Sequence, residues 1–211
     1  MNRKGILTVV SGFSGAGKGT LMKKLLSEYN EYGLSISATT RKPREGEVHG
    51  REYFFLTTDE FESMINNNEL FEWAQYVGNY YGTPKAYVEE QLDQGKDVIL
   101  EIEIQGALKV KEQYPDALLL FVTPPSATEL KNRLVGRGTE DMATIEKRLS
   151  RAVEEAVYMD CYDYIIVNDD LEQCVKRTHS IIQSEHSKTS KNKEFMQEIK
   201  EQLKEFKEGD L

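Results

Sequence analysis

The chain has 211 residues, 39% of them hydrophobic, enough to bury a sizeable core as one domain with insertions or as two small ones. Its formal net charge of -9 argues against a generally basic nucleic-acid-binding face and leaves room for a local cationic pocket, so a nucleotide fits better than a polynucleotide. Cys161 and Cys174 lack metal-ligand spacing and disulfide-framework density, no stretch approaches membrane-span length, and Met1 to Gly5 carry no apolar signal segment; these features point to reduced thiols in a cytoplasmic protein.

Residues 6–10, Ile-Leu-Thr-Val-Val, have the length and β-branched content of a buried parallel strand, and Leu21, Leu25 and Leu26 follow at helical spacing. Between them runs Gly12, Phe13, Ser14, Gly15, Ala16, Gly17, Lys18, Gly19 and Thr20. A glycine-rich turn ending in Gly-Lys between strand and helix is a phosphate cradle. Glycines let successive backbone N–H groups turn inward around an anion, the helix N-terminus adds partial positive charge, and Lys18 reaches the outer phosphates. Gly19 stands where a Ser or Thr hydroxyl usually meets magnesium, so that ligand is missing. Mg²⁺ can still be held by substrate phosphates, water and one or two carboxylates, with Thr20 the nearest hydroxyl.

Residues 37–90 do not read as a further strand–helix repeat. They contain an aromatic run at 53–56, a short helix near 61–65 and a second aromatic run at 71–81, and together read as an inserted subdomain with Phe71, Trp73 and Tyr76 as its packing. Arg41 and Arg44 can grip a second phosphate bidentately, with Tyr53 and Tyr81 donating hydroxyl bonds; the competing reading is a solvated basic turn. Thr83 and Pro84 suggest an N-cap followed by proline at the first helical position, and Gly95 the end of that helix.

Apolar runs at 98–102, 117–122 and 164–167 resemble buried strands, separated by helical segments. Such alternation predicts an α/β domain with a parallel sheet covered on both faces and ligands at the carboxyl ends of its strands, where Gly12, Glu101, Thr123 and Asn168 would gather. Glu101 and Glu103 share a strand face. Ser126 with Glu129 fits a capping box, and Asp170 with Gln173 resembles one. Arg133 and Arg137 lie four apart, and Arg148 and Arg151 follow in the next helix. Past Ser184, Met196, Ile199, Leu203 and Phe206 fall at helical spacing and predict an amphipathic helix docked on the body or on a partner subunit. His49, His179 and His186 lack a partner pattern that calls for catalysis.

The stretch from Ser37 to Phe55, the loop 12–20, and the segments 70–74, 79–83, 100–106 and 136–139 together resemble guanylate kinase, a likeness covering about residues 5–182. It implies a P-loop core with a five-stranded parallel sheet flanked by helices (residues 1–36, 91–125 and 159–184), a GMP-binding subdomain (37–90), a helical lid (126–158) and a C-terminal helical extension (185–211). By the same likeness Ser37, Glu72 and Thr83 face the guanine base, Arg41, Arg44, Tyr53 and Tyr81 the GMP phosphate, and Glu101 and Glu103 the acceptor and metal. Lys18, Arg133, Arg137 and Arg148 would act on the migrating phosphoryl group, and Asn168 would lie near the ATP adenine. The implied reaction is ATP + GMP ⇌ ADP + GDP with Mg²⁺, in a monomer or homodimer.

Chemistry agrees with the base assignment, because guanine presents N1–H and an amino group side by side and one carboxylate can accept both. Many family members have Asp at the position of Glu103, which leaves its individual contact open. Two neighbouring classes compete: guanylate-kinase-like interaction domains, whose phosphate loops are generally degraded, and an enzyme phosphorylating ribose 1,5-bisphosphate, which needs no guanine reader.

Overall fold

The computed structural model describes residues 4–136 and 141–206. In chain order it runs β1 (Leu7–Gly12), α1 (Lys18–Glu28), β2 (Tyr32–Leu34), β3 (Ala38–Thr39), β4 (Phe54–Phe55), α2 (Thr58–Asn66), β5 (Leu70–Tyr76), β6 (Asn79–Pro84) and α3 (Lys85–Asp93). It continues with β7 (Asp97–Glu101), α4 (Ile104–Gln113), β8 (Leu118–Thr123), α5 (Ala127–Gly136), α6 (Met142–Ala156), β9 (Tyr164–Val167), α7 (Leu171–Glu185) and α8 (Lys193–Glu205).

The main sheet has the order β2-β7-β1-β8-β9, and every neighbouring pair is parallel. Its central strands are mostly apolar on both faces because helices cover both. Period-two alternation then divides them between two layers. Ile6, Val10, Leu118 and Leu120 face Leu21 and Leu25 of α1 and Val175 and Ile182 of α7. Leu7, Val9, Leu119, Val98 and Leu100 face Val88 and Leu92 of α3 and Val110 of α4. The α/β class and the parallel sheet follow the sequence pattern, and β2 is the strand that the pattern omits.

A second sheet, ordered β4-β3-β6-β5, is built from residues within the 37–90 stretch. Thr57 opens α2 with a capping box, accepting from the Glu60 N–H while the Glu60 carboxylate accepts from the Thr57 N–H. A bulge interrupts the β5–β6 pairing: Leu70 is opposite Pro84 and Trp73 opposite Gly82, so Phe71 and Glu72 together oppose Thr83.

Several local expectations change. Thr83 is the penultimate residue of β6 and not a cap; Pro84 occupies the N-cap of α3, because the Thr83 hydroxyl is committed to Glu72. The end of α3 at Gly95 is as expected, with Gly95 N–H donating to Leu92 O and Lys96 N–H to Gln91 O. Ser126 Oγ accepts from Glu129 N–H at 3.1 Å, but the Glu129 carboxylate pairs with Arg133 instead of closing the box. Asp170 caps α7 through Gln173 N–H. Phe71 is fully buried, yet it packs against Tyr114 and the main-sheet layer, whereas Trp73 and Tyr76 are exposed. The tail forms α8 as expected, with Phe195, Ile199, Leu203 and Phe206 left exposed.

Candidate active site

The loop between β1 and α1 takes its shape from glycines at φ +146, +94 and +92, namely Gly12, Gly15 and Gly17. A Cβ on Gly12 would lie 2.0 Å from Val122 O on the neighbouring strand, and one on Gly17 would lie 2.5 Å from Asn168 Nδ2. The loop therefore rests directly on β8 and on the residue after β9, at the carboxyl edge of the sheet. Lys18, the first residue of α1, arches back with its Nζ donating to Gly12 O at 2.7 Å and Phe13 O at 3.1 Å. Phe13 and Ala16 are buried and anchor the loop, Ser14 faces α6, and Gly19 and Thr20 lie exposed on the first turn of α1.

Cationic side chains from α5 and α6 meet this loop. Arg133 donates to Ala16 O at 3.4 Å and Asn168 O at 2.9 Å while its Nε pairs with Glu129 at 2.8 Å. Asn168 is buried and donates its own amide to Ala16 O at 2.8 Å, so the turn is held from two sides. Arg148 Nη1 donates to Ser14 Oγ at 2.6 Å. Arg137 lies outside the described residues. Arg151 bridges α6 to the core, with Nη2 2.9 Å from Glu103 and Nε 2.8 Å from Glu155.

On the second sheet Glu72 and Thr83 form the pair that the bulge creates, with Thr83 Oγ1 donating to Glu72 Oε1 at 2.7 Å. Burial pushes the Glu72 carboxyl above the usual carboxylate range, with the Thr83 bond opposing. Extending the β3–β6 register by one residue sets Ser37 opposite Thr83. Nearby, Arg41 sits over the rings of Tyr53 and Phe55, 5.4 and 5.7 Å from their centroids, and donates to Glu47 Oε1 at 2.9 Å. Tyr53 and Tyr81 pack edge to face at 6.1 Å. The side chain of Arg44 is exposed, and its backbone N–H donates to Glu47 Oε2 at 2.7 Å.

Glu47 thus orders both expected phosphate grips, and the sequence reading did not single it out. A carboxylate six residues after Arg41 in a turn rich in charge was the available signal. Arg41 and the Arg44 N–H hold the Glu47 carboxyl below the ordinary range. Glu129 likewise serves a second partner, because the spacing from Ser126 signals a cap while its carboxylate pairs with Arg133.

Glu101 ends β7 with an exposed side chain, raised above the ordinary carboxylate range by partial desolvation and pulled down by nearby Lys18. Glu103 occupies the N-cap of α4 and is bound to Arg151. Among the described residues no group of three or more His, Cys, Asp and Glu could hold a metal. The Glu101 carboxylate, within the field of Lys18, is an oxygen ligand of the kind that suits Mg²⁺ carried in on a polyphosphate. Among the described residues no helix is long and apolar enough to cross a membrane. His186 pairs with Asp97 and His179 bonds Tyr32, so both serve packing.

The guanylate kinase family model matches residues 4–185. A guanylate kinase of Bacillus cereus is 52% identical over 203 residues, covering 96% of this chain and 99% of that protein. One from Bacillus subtilis is 54% identical over 189 residues, covering 89% of this chain and 93% of its own. The crystal structure of guanylate kinase from Anaplasma phagocytophilum aligns with a TM-score of 0.67 at 34% identity, covering 88% of each chain. With an intact phosphate loop, a second sheet carrying the paired Glu72 and Thr83, and likeness over nearly its whole length, the chain belongs to the guanylate kinase family.

Proposed function

We propose that the chain transfers the γ-phosphoryl group of ATP to GMP or dGMP, giving ADP and GDP or dGDP in purine nucleotide metabolism and GMP recycling, with the residue roles that follow. The observation that carries this reading is the pairing of two unlike sites: a glycine loop with Lys18, and a second sheet that carries Glu72 bonded to Thr83, with Arg41 in the loop that follows β3. Little covalent chemistry falls to the protein in such a transfer, so its work is alignment and charge.

The backbone N–H groups of residues 12–20 and Lys18 hold the ATP phosphates. Arg41, Arg44, Tyr53 and Tyr81 hold the GMP phosphate, and Ser37, Glu72 and Thr83 read guanine. Ionised Glu72 accepts from N1–H and the 2-amino group, whereas adenine would set its N1 lone pair against the carboxylate. A site built on such pairing rejects the wrong base by ~10⁴-fold, because buried polar groups are left unpaired. Arg133, Arg137 and Arg148 offset charge on the migrating group, and closure of residues 126–158 over residues 37–90 and the core excludes water. Glu101, with Thr20 nearby, would orient the hydrated metal, and Glu103 the acceptor. Mg²⁺ bound with ATP supplies neutralisation of the β- and γ-phosphates. We assign the protein to the cytoplasm, in keeping with its free cysteines.

An interaction domain would not need the loop geometry at Gly12, Gly15 and Gly17, and a ribose 1,5-bisphosphate kinase would not need Glu72 bonded to Thr83. ADP production from Mg-ATP, followed in parallel with GMP, AMP, UMP and ribose 1,5-bisphosphate, tests the reading. Turnover with GMP alone supports it; folded protein without GMP turnover overturns it.

A further inference from the structure

The first turn of α4 contains a glycine with no backbone reason to be there. Gly106 is buried, lies within Ile104–Gln113, and is absent from the positive-φ glycines. Glycine inside a helix is less favourable than alanine, so packing must favour it here. The packing is specific. A Cβ at Gly106 would lie 3.2 Å from Glu72 Cγ, 3.2 Å from Glu72 Oε2 and 3.4 Å from Glu72 Cδ, and these are its nearest neighbours.

Glu72 has little freedom to retreat from such a group. Its other carboxylate oxygen is held by Thr83 Oγ1 at 2.7 Å, and Thr83 is fully buried. The β5 backbone is itself fixed at this bulge, where Gln113 Nε2, from the far end of the same helix, donates to Phe71 O at 2.9 Å. Helix α4 therefore clamps the bulge at one end and, through a missing side chain, leaves a seat for the carboxylate at the other.

We infer that Gly106 is a positioning residue for base recognition: the absence of its side chain sets the orientation of the Glu72 carboxylate, and hence the affinity and selectivity for a guanine-bearing acceptor. This rests on the reading of Glu72 as the guanine acceptor. A displacement of a few tenths of an ångström in a paired donor–acceptor array is enough to matter, given that misplacements near 1 Å cost about 10²-fold.

The test is Gly106→Ala in the full chain, measured for kcat, KM for GMP, KM for ATP and melting temperature. KM for GMP should rise about tenfold while KM for ATP stays within about twofold, and the melting temperature should change little, since alanine's better helix propensity offsets the tightened contact with Glu72. A double-mutant cycle separates positioning from general disturbance: in a Glu72→Ala background the contact no longer exists, and Gly106→Ala should leave kcat/KM for GMP unchanged. An unchanged KM for GMP, or an equal loss in the Glu72→Ala background, would overturn the inference. Absence of GMP turnover in the unmodified chain would instead remove the guanine reading beneath it, so the two failures are distinguishable.

Discussion

Replacing Glu72 by Gln keeps the side chain's shape and changes only its donors and acceptors. The carboxylate can accept from guanine N1–H and the 2-amino group; the amide accepts one of these and turns its own NH₂ toward the other. Losing one hydrogen bond to a charged group costs about 1.5–3 kcal/mol, and an unpaired buried donor about 1–3 kcal/mol more. Together these predict a loss of roughly 2.5–6 kcal/mol, or about 10²- to 10⁴-fold in kcat/KM for GMP. Thr83 Oγ1 can still donate to the amide carbonyl, so the apo fold keeps this bond. Stability should move the other way from activity. Burial raises the Glu72 pKa above its ordinary 4.5, so ionisation opposes folding progressively as pH rises through that interval and fully above it. The Gln variant lacks that penalty, and its melting temperature at pH 7 should be no lower than that of the unmodified chain. Steady-state kinetics with GMP and a thermal melt suffice. A loss under threefold, or a loss matched by a fall in melting temperature, would refute the reasoning.

Arg148→Ala removes a guanidinium now bonded to Ser14, and should lower kcat by about 10³-fold with a much smaller change in KM for ATP; a raised KM for ATP with kcat unchanged would mean ground-state binding only. Asn168→Ala leaves the buried Ala16 carbonyl with one donor fewer, a cost of about 1–3 kcal/mol that should appear in the denaturation midpoint, together with weaker stabilisation by Mg-ATP. Glu47→Gln loosens both Arg41 and the Arg44 backbone, so KM for GMP should rise with KM for ATP unchanged. Because the Glu47 pKa is depressed on folding, its contribution is present above the ordinary value of 4.5 and fades as pH falls below it; the Gln variant should lose that acid limb in a pH titration of stability.

The phosphate loop was legible because its chemistry is local: three glycines and a lysine at fixed offsets have one conformation that works. The central strands were legible because burial on both faces makes them predominantly apolar. Tyr32, Gly33 and Leu34 were not, since three residues pairing through β7 alone carry no periodicity. The bulge at Phe71 and Glu72 exists only through pairing with β6, and without it Thr83 reads as a helix cap. Glu47 and Glu129 show the same limit: Glu47 has no reading within a basic turn and Glu129 reads only as part of a capping box, yet each is committed to an arginine of the site. Glycine at position 106 had no reading until the helix was set against Glu72.

Phosphorus NMR of one tube containing the protein, Mg-ATP and GMP tells transfer to a nucleotide from transfer to water: ADP and GDP should appear in equal amounts with inorganic phosphate staying at background. ADP with inorganic phosphate and no GDP, or no reaction from folded protein, would contradict transfer to GMP.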